Sequence, residues 1–147
     1  MKKLIVYQGI QGSGKSTEAK AFVMEDPDNR VRVNRDDIRL MLGKPFNPKI
    51  ENLVTDIEKA SLETAMKHEK IVVSDNMNMN PKVIKFLEDL AKRFGYEVEY
   101  HFIYTPLEVC IERDSKRLNP VGEKVIRDTY AKYKDYVEAH NPQNERI

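Results

Sequence analysis

Gly9-Ile10-Gln11-Gly12-Ser13-Gly14-Lys15-Ser16-Thr17 carries the residue types that hold a nucleoside triphosphate, at the spacing that chemistry requires. The run fits G-x-x-x-x-G-K-S/T at every fixed position. Glycines let backbone N–H groups turn inward onto phosphate oxygens, and a following helix N-terminus adds the positive end of its dipole. Lys15 is expected to reach the β- and γ-phosphates of ATP or another nucleoside triphosphate, and the Ser16 hydroxyl to hold Mg²⁺. Gly12, Ser13, Gly14 and Thr17 complete the cradle. The competing reading is a chance glycine turn. Against it stand the flanks: Leu4-Ile5-Val6-Tyr7 is a buried-strand run, and a helix-forming segment begins near Lys15.

Three more groups could act on a transferring phosphate. Asp36 and Arg39 are three residues apart, which places them on one face of a helix. A carboxylate there can orient an acceptor hydroxyl and take its proton, and an arginine beside it can grip a phosphate of the acceptor. The alternative is an acidic helix start with a surface arginine; Asp37 suits a capping or dipole role. Asp75 ends the β-branched run Ile71-Val72-Val73. It suits a metal-side aspartate bonded to Ser16 or to a magnesium-bound water, or else an Asx-turn closing a strand. Arg113 and Arg117 are spaced i,i+4 with Lys116 between them. On a lid helix they would lie over the phosphates, Arg117 as the catalytic residue and Arg113 against the donor base. A solvated basic face is the other reading.

These groups need elements to position them. Strands are expected over Lys3–Gln8, Val31–Val33, Ile71–Val73 and Tyr96–Tyr104, the last with Val98, Tyr100, Phe102 and Tyr104 on one face. The first helix runs from about Gly14 to Met24. Asn34 caps a short helix, and Asn47-Pro48 opens a long one with the stripe Ile50, Leu53, Val54 and Ile57. Asn80-Pro81 opens another, which Gly95 ends. Thr105-Pro106-Leu107-Glu108 has the pattern of a capping box. The last helix presents Ile126, Tyr130, Tyr133 and Val137 along one side. This β-α alternation predicts an α/β P-loop fold: one domain over residues 1–147, a parallel sheet of about four strands, helices on both faces and a helical lid. In such sheets ligands lie beyond the carboxyl ends of the strands, where the candidate residues fall.

Composition narrows the function. The net charge is only +1, which disfavours a protein that coats nucleic acid and permits a small basic pocket for one end. One cysteine, Cys110, excludes an internal disulfide and fits a reducing cytoplasm. No membrane span or secretory leader is legible. Asn76 follows Asp75 where a motor ATPase would place a carboxylate, and no Asn-Lys-x-Asp segment for guanine is present. His68, His101 and His140 suggest no metal site. Tyr130 and Tyr133 read as core, and Phe46 as a residue that could stack on a nucleobase.

The blocks Gly9 to Thr17, Asn34-Arg35-Asp36-Asp37-Ile38-Arg39 and Arg113-Asp114-Ser115-Lys116-Arg117 resemble the kinase domain of the bacteriophage polynucleotide kinase–phosphatase family, nearly end to end. The resemblance implies that Lys15 and Ser16 bind donor phosphates and metal, and that Asp36 is the general base on a 5′-hydroxyl. It further implies that Arg39 binds the acceptor phosphate and that Arg117, with Arg113 on the same segment, contacts the donor. The chain stops at Ile147 and carries no D-x-D-x-T-type phosphatase signature, so a stand-alone kinase is expected, with a separate phosphatase and ligase as possible partners. The expected activity is ATP-dependent phosphorylation of 5′-hydroxyl ends of RNA or DNA, in a bacterial or phage-infected cytoplasm. The alternatives are a small-molecule, nucleoside or modified-base kinase of the same fold, and a nucleotide-binding switch without transfer chemistry.

Overall fold

A computed structural model of the chain describes residues 1–43 and 47–145. Four strands, β1 (Lys3–Gln8), β2 (Arg30–Val33), β3 (Ile71–Asp75) and β4 (Glu97–Phe102), form one parallel sheet in the order β2-β3-β1-β4. Between and after them run α1 (Lys15–Met24), α2 (Arg35–Met41), α3 (Glu51–Lys67), α4 (Pro81–Phe94), α5 (Leu107–Ser115) and α6 (Glu123–Ala139). The central strand β1 pairs Tyr7 with Asp75 on one side and Gln8 with Phe102 on the other. That register brings the phosphate loop, Asp75 and the start of α5 to the same end of the sheet.

Strand alternation divides the core. Leu4 and Val6 point to one face and pack with Val33, Val54, Leu62, Val72 and Leu87, beneath α2, α3 and α4. Ile5 and Tyr7 point to the other and pack with Ala19 and Val73, beneath α1. A third cluster, Ile10, Met79, Cys110, Ile126 and Val137, lies under α5 and α6, with Tyr130 and Tyr133 against it. The two tyrosines are half-buried and pack against this cluster, on the side their spacing predicts. Among the described residues, no helix is long and apolar enough to cross a membrane.

Several local expectations are revised. Asn47 caps a 3-10 turn, Pro48–Ile50, and α3 itself begins at Glu51. Leu53 is exposed, because the buried side of α3 is set by Val54, Leu62, Ala65 and Met66. β4 is shorter than its alternation suggests and is an edge strand; the chain leaves it after Phe102 to reach the phosphate loop. Thr105 does not cap α5: its hydroxyl donates to the Ser13 carbonyl at 2.7 Å, and Pro106 is the N-cap. α6 bends at Tyr133, whose backbone leaves helical geometry. Phe46 lies outside the described residues.

Gly12 shows how tightly the phosphate loop is seated. Its φ is +81°, and a Cβ there would lie 2.4 Å from the Cys110 carbonyl oxygen. Gly95 also has positive φ, at +72°, with nothing within 4 Å of an added Cβ. Gly95→Ala is therefore expected to cost about 1 kcal/mol from backbone strain alone. Gly12→Ala adds the overlap with Cys110 and should cost about 2 kcal/mol more. Urea unfolding of the two variants checks the difference; equal losses would show that α5 does not confine the loop.

Candidate active site

The phosphate loop turns from β1 into α1 at Gly14, whose left-handed φ of +98° makes it an N-cap without a capping side chain. The first-turn N–H groups of α1, with Ser16 half-buried and Thr17 exposed, thus meet no side-chain acceptor at the cap. The Lys15 ammonium contacts the Ile10 carbonyl at 3.4 Å. Burial lowers its pKa; Asp75 and Asp36 oppose that shift, and Arg117 reinforces it. A partly desolvated ammonium gains most when an anion arrives. Four sequence-predicted residues therefore share one electrostatic neighbourhood: Lys15, Asp36, Asp75 and Arg117.

Asp75 is fully buried. Its Oδ2 accepts from Arg32 Nε at 2.7 Å, and its backbone carbonyl accepts from Asn34 Nδ2 at 2.6 Å. Its Oδ1 has no hydrogen-bond partner. A buried, unpaired carboxylate oxygen calls for a cation or a donor, so Asp75 fits a divalent ion. Arg32 also pairs with Asp37, a carboxylate expected to serve only the helix end. Asn34 caps α2 by accepting from the Asp37 N–H at 2.9 Å. Asn76 occupies itself with packing: its Oδ1 accepts from the Arg35 N–H, and its Nδ2 donates to Glu58.

On α2, Arg39 and Asp36 form the ion pair their spacing predicts, at 2.7 Å. The Asp36 side chain is 65% exposed, leaving the carboxylate open to an incoming group. Glu51 was not foreseen. It accepts from Arg39 Nε at 2.9 Å and Nη2 at 2.7 Å, and from Arg35 Nη2 at 3.2 Å. Arg35 also donates to Glu58 and Thr55. Glu51, Thr55 and Glu58 recur at helical spacing on α3, so a polar stripe facing α2 was legible in principle.

The other wall is α5. Arg113 Nη1 donates to the Ser13 carbonyl at 3.3 Å, the acceptor also used by Thr105. Arg113, the candidate for the donor's phosphates or base, thus rests on the phosphate loop itself. Arg117 is half-exposed, 3.6 Å from Asp114. Burial pushes the Cys110 thiol up to about 11, so it stays protonated beneath the loop. The histidines lie apart from this cluster: His101 packs edge-on to Tyr7, His140 stacks on Phe102, and His68 is exposed.

Residues 4–140 match the AAA domain family. The chain belongs to that family. It is 28% identical, over an alignment of 150 residues, to a protein of Autographa californica nuclear polyhedrosis virus assigned as a bifunctional polynucleotide kinase/RNA ligase; the match covers 90% of this chain and 21% of the relative. It is 23% identical over 133 residues to the L-seryl-tRNA(Sec) kinase of Methanococcus maripaludis, covering 88% of this chain and 52% of that enzyme. A chain of the Pnkp1/Rnl/Hen1 RNA repair complex superposes with a TM-score of 0.79 at 28% identity, over 94% of this chain and 45% of that one. The chain thus spans between 21% and 52% of the length of these relatives. Its fold is that of P-loop kinases.

Arg39 foremost, then Arg35, holds the Glu51 carboxyl below its ordinary range against the opposing effect of burial. A carboxylate with a depressed folded pKa adds stability that is complete above the unfolded value and is lost as pH falls through the folded one. Glu51→Gln should cost about 1–2 kcal/mol at pH 7. The gap from wild type should begin to narrow below about pH 4, where the unfolded carboxyl protonates, and shrink further toward the lower folded value. Urea unfolding at pH 7 and pH 3 checks this; a constant gap would contradict it.

Proposed function

We propose that the chain is a kinase that transfers the γ-phosphate of ATP, or another nucleoside triphosphate, to the 5′-hydroxyl end of RNA or DNA. The observation that carries the reading is the position of Asp36: exposed, paired with Arg39, and close enough for its charge to act on Lys15. An exposed carboxylate within electrostatic reach of a phosphate-binding lysine suits activation of a hydroxyl. The relatives support a polynucleotide acceptor, since one is assigned as a polynucleotide kinase/RNA ligase and another belongs to an RNA repair complex. By the same analogy, a ligase that acts on the same ends is a fitting partner; a separate phosphatase is what the sequence resemblance implies.

In this mechanism the loop N–H groups and Lys15 bind the β- and γ-phosphates. Ser16 and Asp75 would hold Mg²⁺, which supplies charge neutralisation on those phosphates when bound. Asp36 orients the acceptor hydroxyl and takes its proton. The hydroxyl oxygen bonds to the γ-phosphorus as the bond to the β-phosphate oxygen breaks, and the nucleoside diphosphate leaves. Arg39 keeps Asp36 aligned and faces the acceptor's adjacent phosphate. Arg117 offers its guanidinium to charge on the transferring group, as a lid arginine would.

Asp36→Asn should lower transfer to a 5′-hydroxyl oligonucleotide at least about 100-fold. Nucleotide affinity, read with a fluorescent ATP analogue, should stay within about twofold of wild type. Undiminished transfer by this variant would sink the reading. A second reading, a kinase for a small or tRNA-borne hydroxyl, has one observation in its favour: the seryl-tRNA kinase relative. Arg39→Ala separates the two. With a polynucleotide acceptor its KM should rise about tenfold or more, from loss of a charge-assisted contact; an acceptor lacking that phosphate would show little change.

A further inference from the structure

Asp114 lies within the Arg113–Arg117 block, yet the proposed chemistry gives it no task. It is one of the most deeply buried carboxylates in the chain, at 1% exposure. Its two oxygens accept from the backbone N–H groups of Val121 and Gly122, both at 3.0 Å. Gly122 is the N-cap of α6 and has no side chain to cap it, so Asp114 supplies negative charge beside that helix's positive end. The same carboxylate lies 3.6 Å from Arg117 Nη1, and the Arg117 N–H donates to the Asp114 carbonyl at 3.0 Å.

We infer that Asp114 is a positioning residue for the lid arginine: it holds Arg117 in front of the phosphate loop while anchored itself by α6. The inference rests on the role proposed above for Arg117. At 3.6 Å the guanidinium is attracted without a close hydrogen bond. Arg117 can therefore turn to a phosphate while the carboxylate keeps both of its N–H donors. Without Asp114, a long half-exposed side chain would spread over its rotamers and reach the donor less often. Arg117 lies near enough to Lys15 for its charge to act on the ammonium.

A double-mutant cycle tests this. Arg117→Ala is expected to lower kcat about 1,000-fold. Asp114→Asn should lower kcat about 10- to 100-fold, as misplaced catalytic groups do, with little change in KM for ATP. In the Arg117→Ala background, Asp114→Asn should change kcat less than about twofold, because coupled residues are not additive. NMR of the Arg117 Nε–H should show a lower order parameter in Asp114→Asn. An equal loss in both backgrounds, or an unchanged order parameter, would overturn the positioning role and reduce Asp114 to a structural anchor. Wild-type transfer by Arg117→Ala would instead overturn the role of the arginine itself. Should Asp114→Asn fail to fold, Asp114→Glu enters the same cycle with the same expected coupling.

Discussion

The buried carboxylate of Asp75 ties the site together. Sealed from water at the end of β3, it must be balanced, and Arg32 from β2 provides one cation. Its carbonyl binds Asn34, the residue that caps α2. A single position thus fixes where α2 starts relative to the phosphate loop. Asp36 and Arg39 inherit that placement, because both lie within the first five residues of the helix that Asn34 begins. The charge of Asp75 also opposes the desolvation of Lys15. Moving or removing it would disturb the lysine and the carboxylate-bearing helix together.

Much of this arrangement was legible along the chain because its signals are local. The glycine spacing, the β-branched runs and the caps at Asn34, Asn80 and Gly95 each depend on a few neighbouring residues, and each appears where expected. The illegible features depend on partners distant in sequence. Thr105 has the local pattern of a capping residue, yet the Ser13 carbonyl, 92 positions away, claims its hydroxyl. Arg32 occupies an ordinary alternating position in a short strand; nothing nearby announces Asp75, 43 positions on. Glu51 is one acidic residue among many until α3 packs against α2 and makes it the partner of two arginines.

The phosphate loop is gripped from the side of α5 as well. Thr105 and Arg113 share the Ser13 carbonyl, and the Cys110 backbone fills the space beside Gly12. The loop and α5 therefore behave as one packed unit, with α6 attached through Asp114 and through Gln11 on Thr129. Displacement of α5 cannot leave the loop unchanged, because the Cys110 backbone seated against Gly12 has no rotamer to absorb the shift.

The pairing of cations along β2 and α2 has one more consequence. Arg30, Arg32, Arg35 and Arg39 each lie against a carboxylate. Their fields largely cancel a few ångströms away, and the whole chain carries a net charge of only +1. Long-range attraction therefore contributes little to encounters with a polyanion, and collisions proceed at the unsteered pace of about 10⁵–10⁶ M⁻¹s⁻¹. Under the proposed function, recognition would begin only at contact, where an acceptor phosphate would compete with Glu51 for the Arg39 guanidinium.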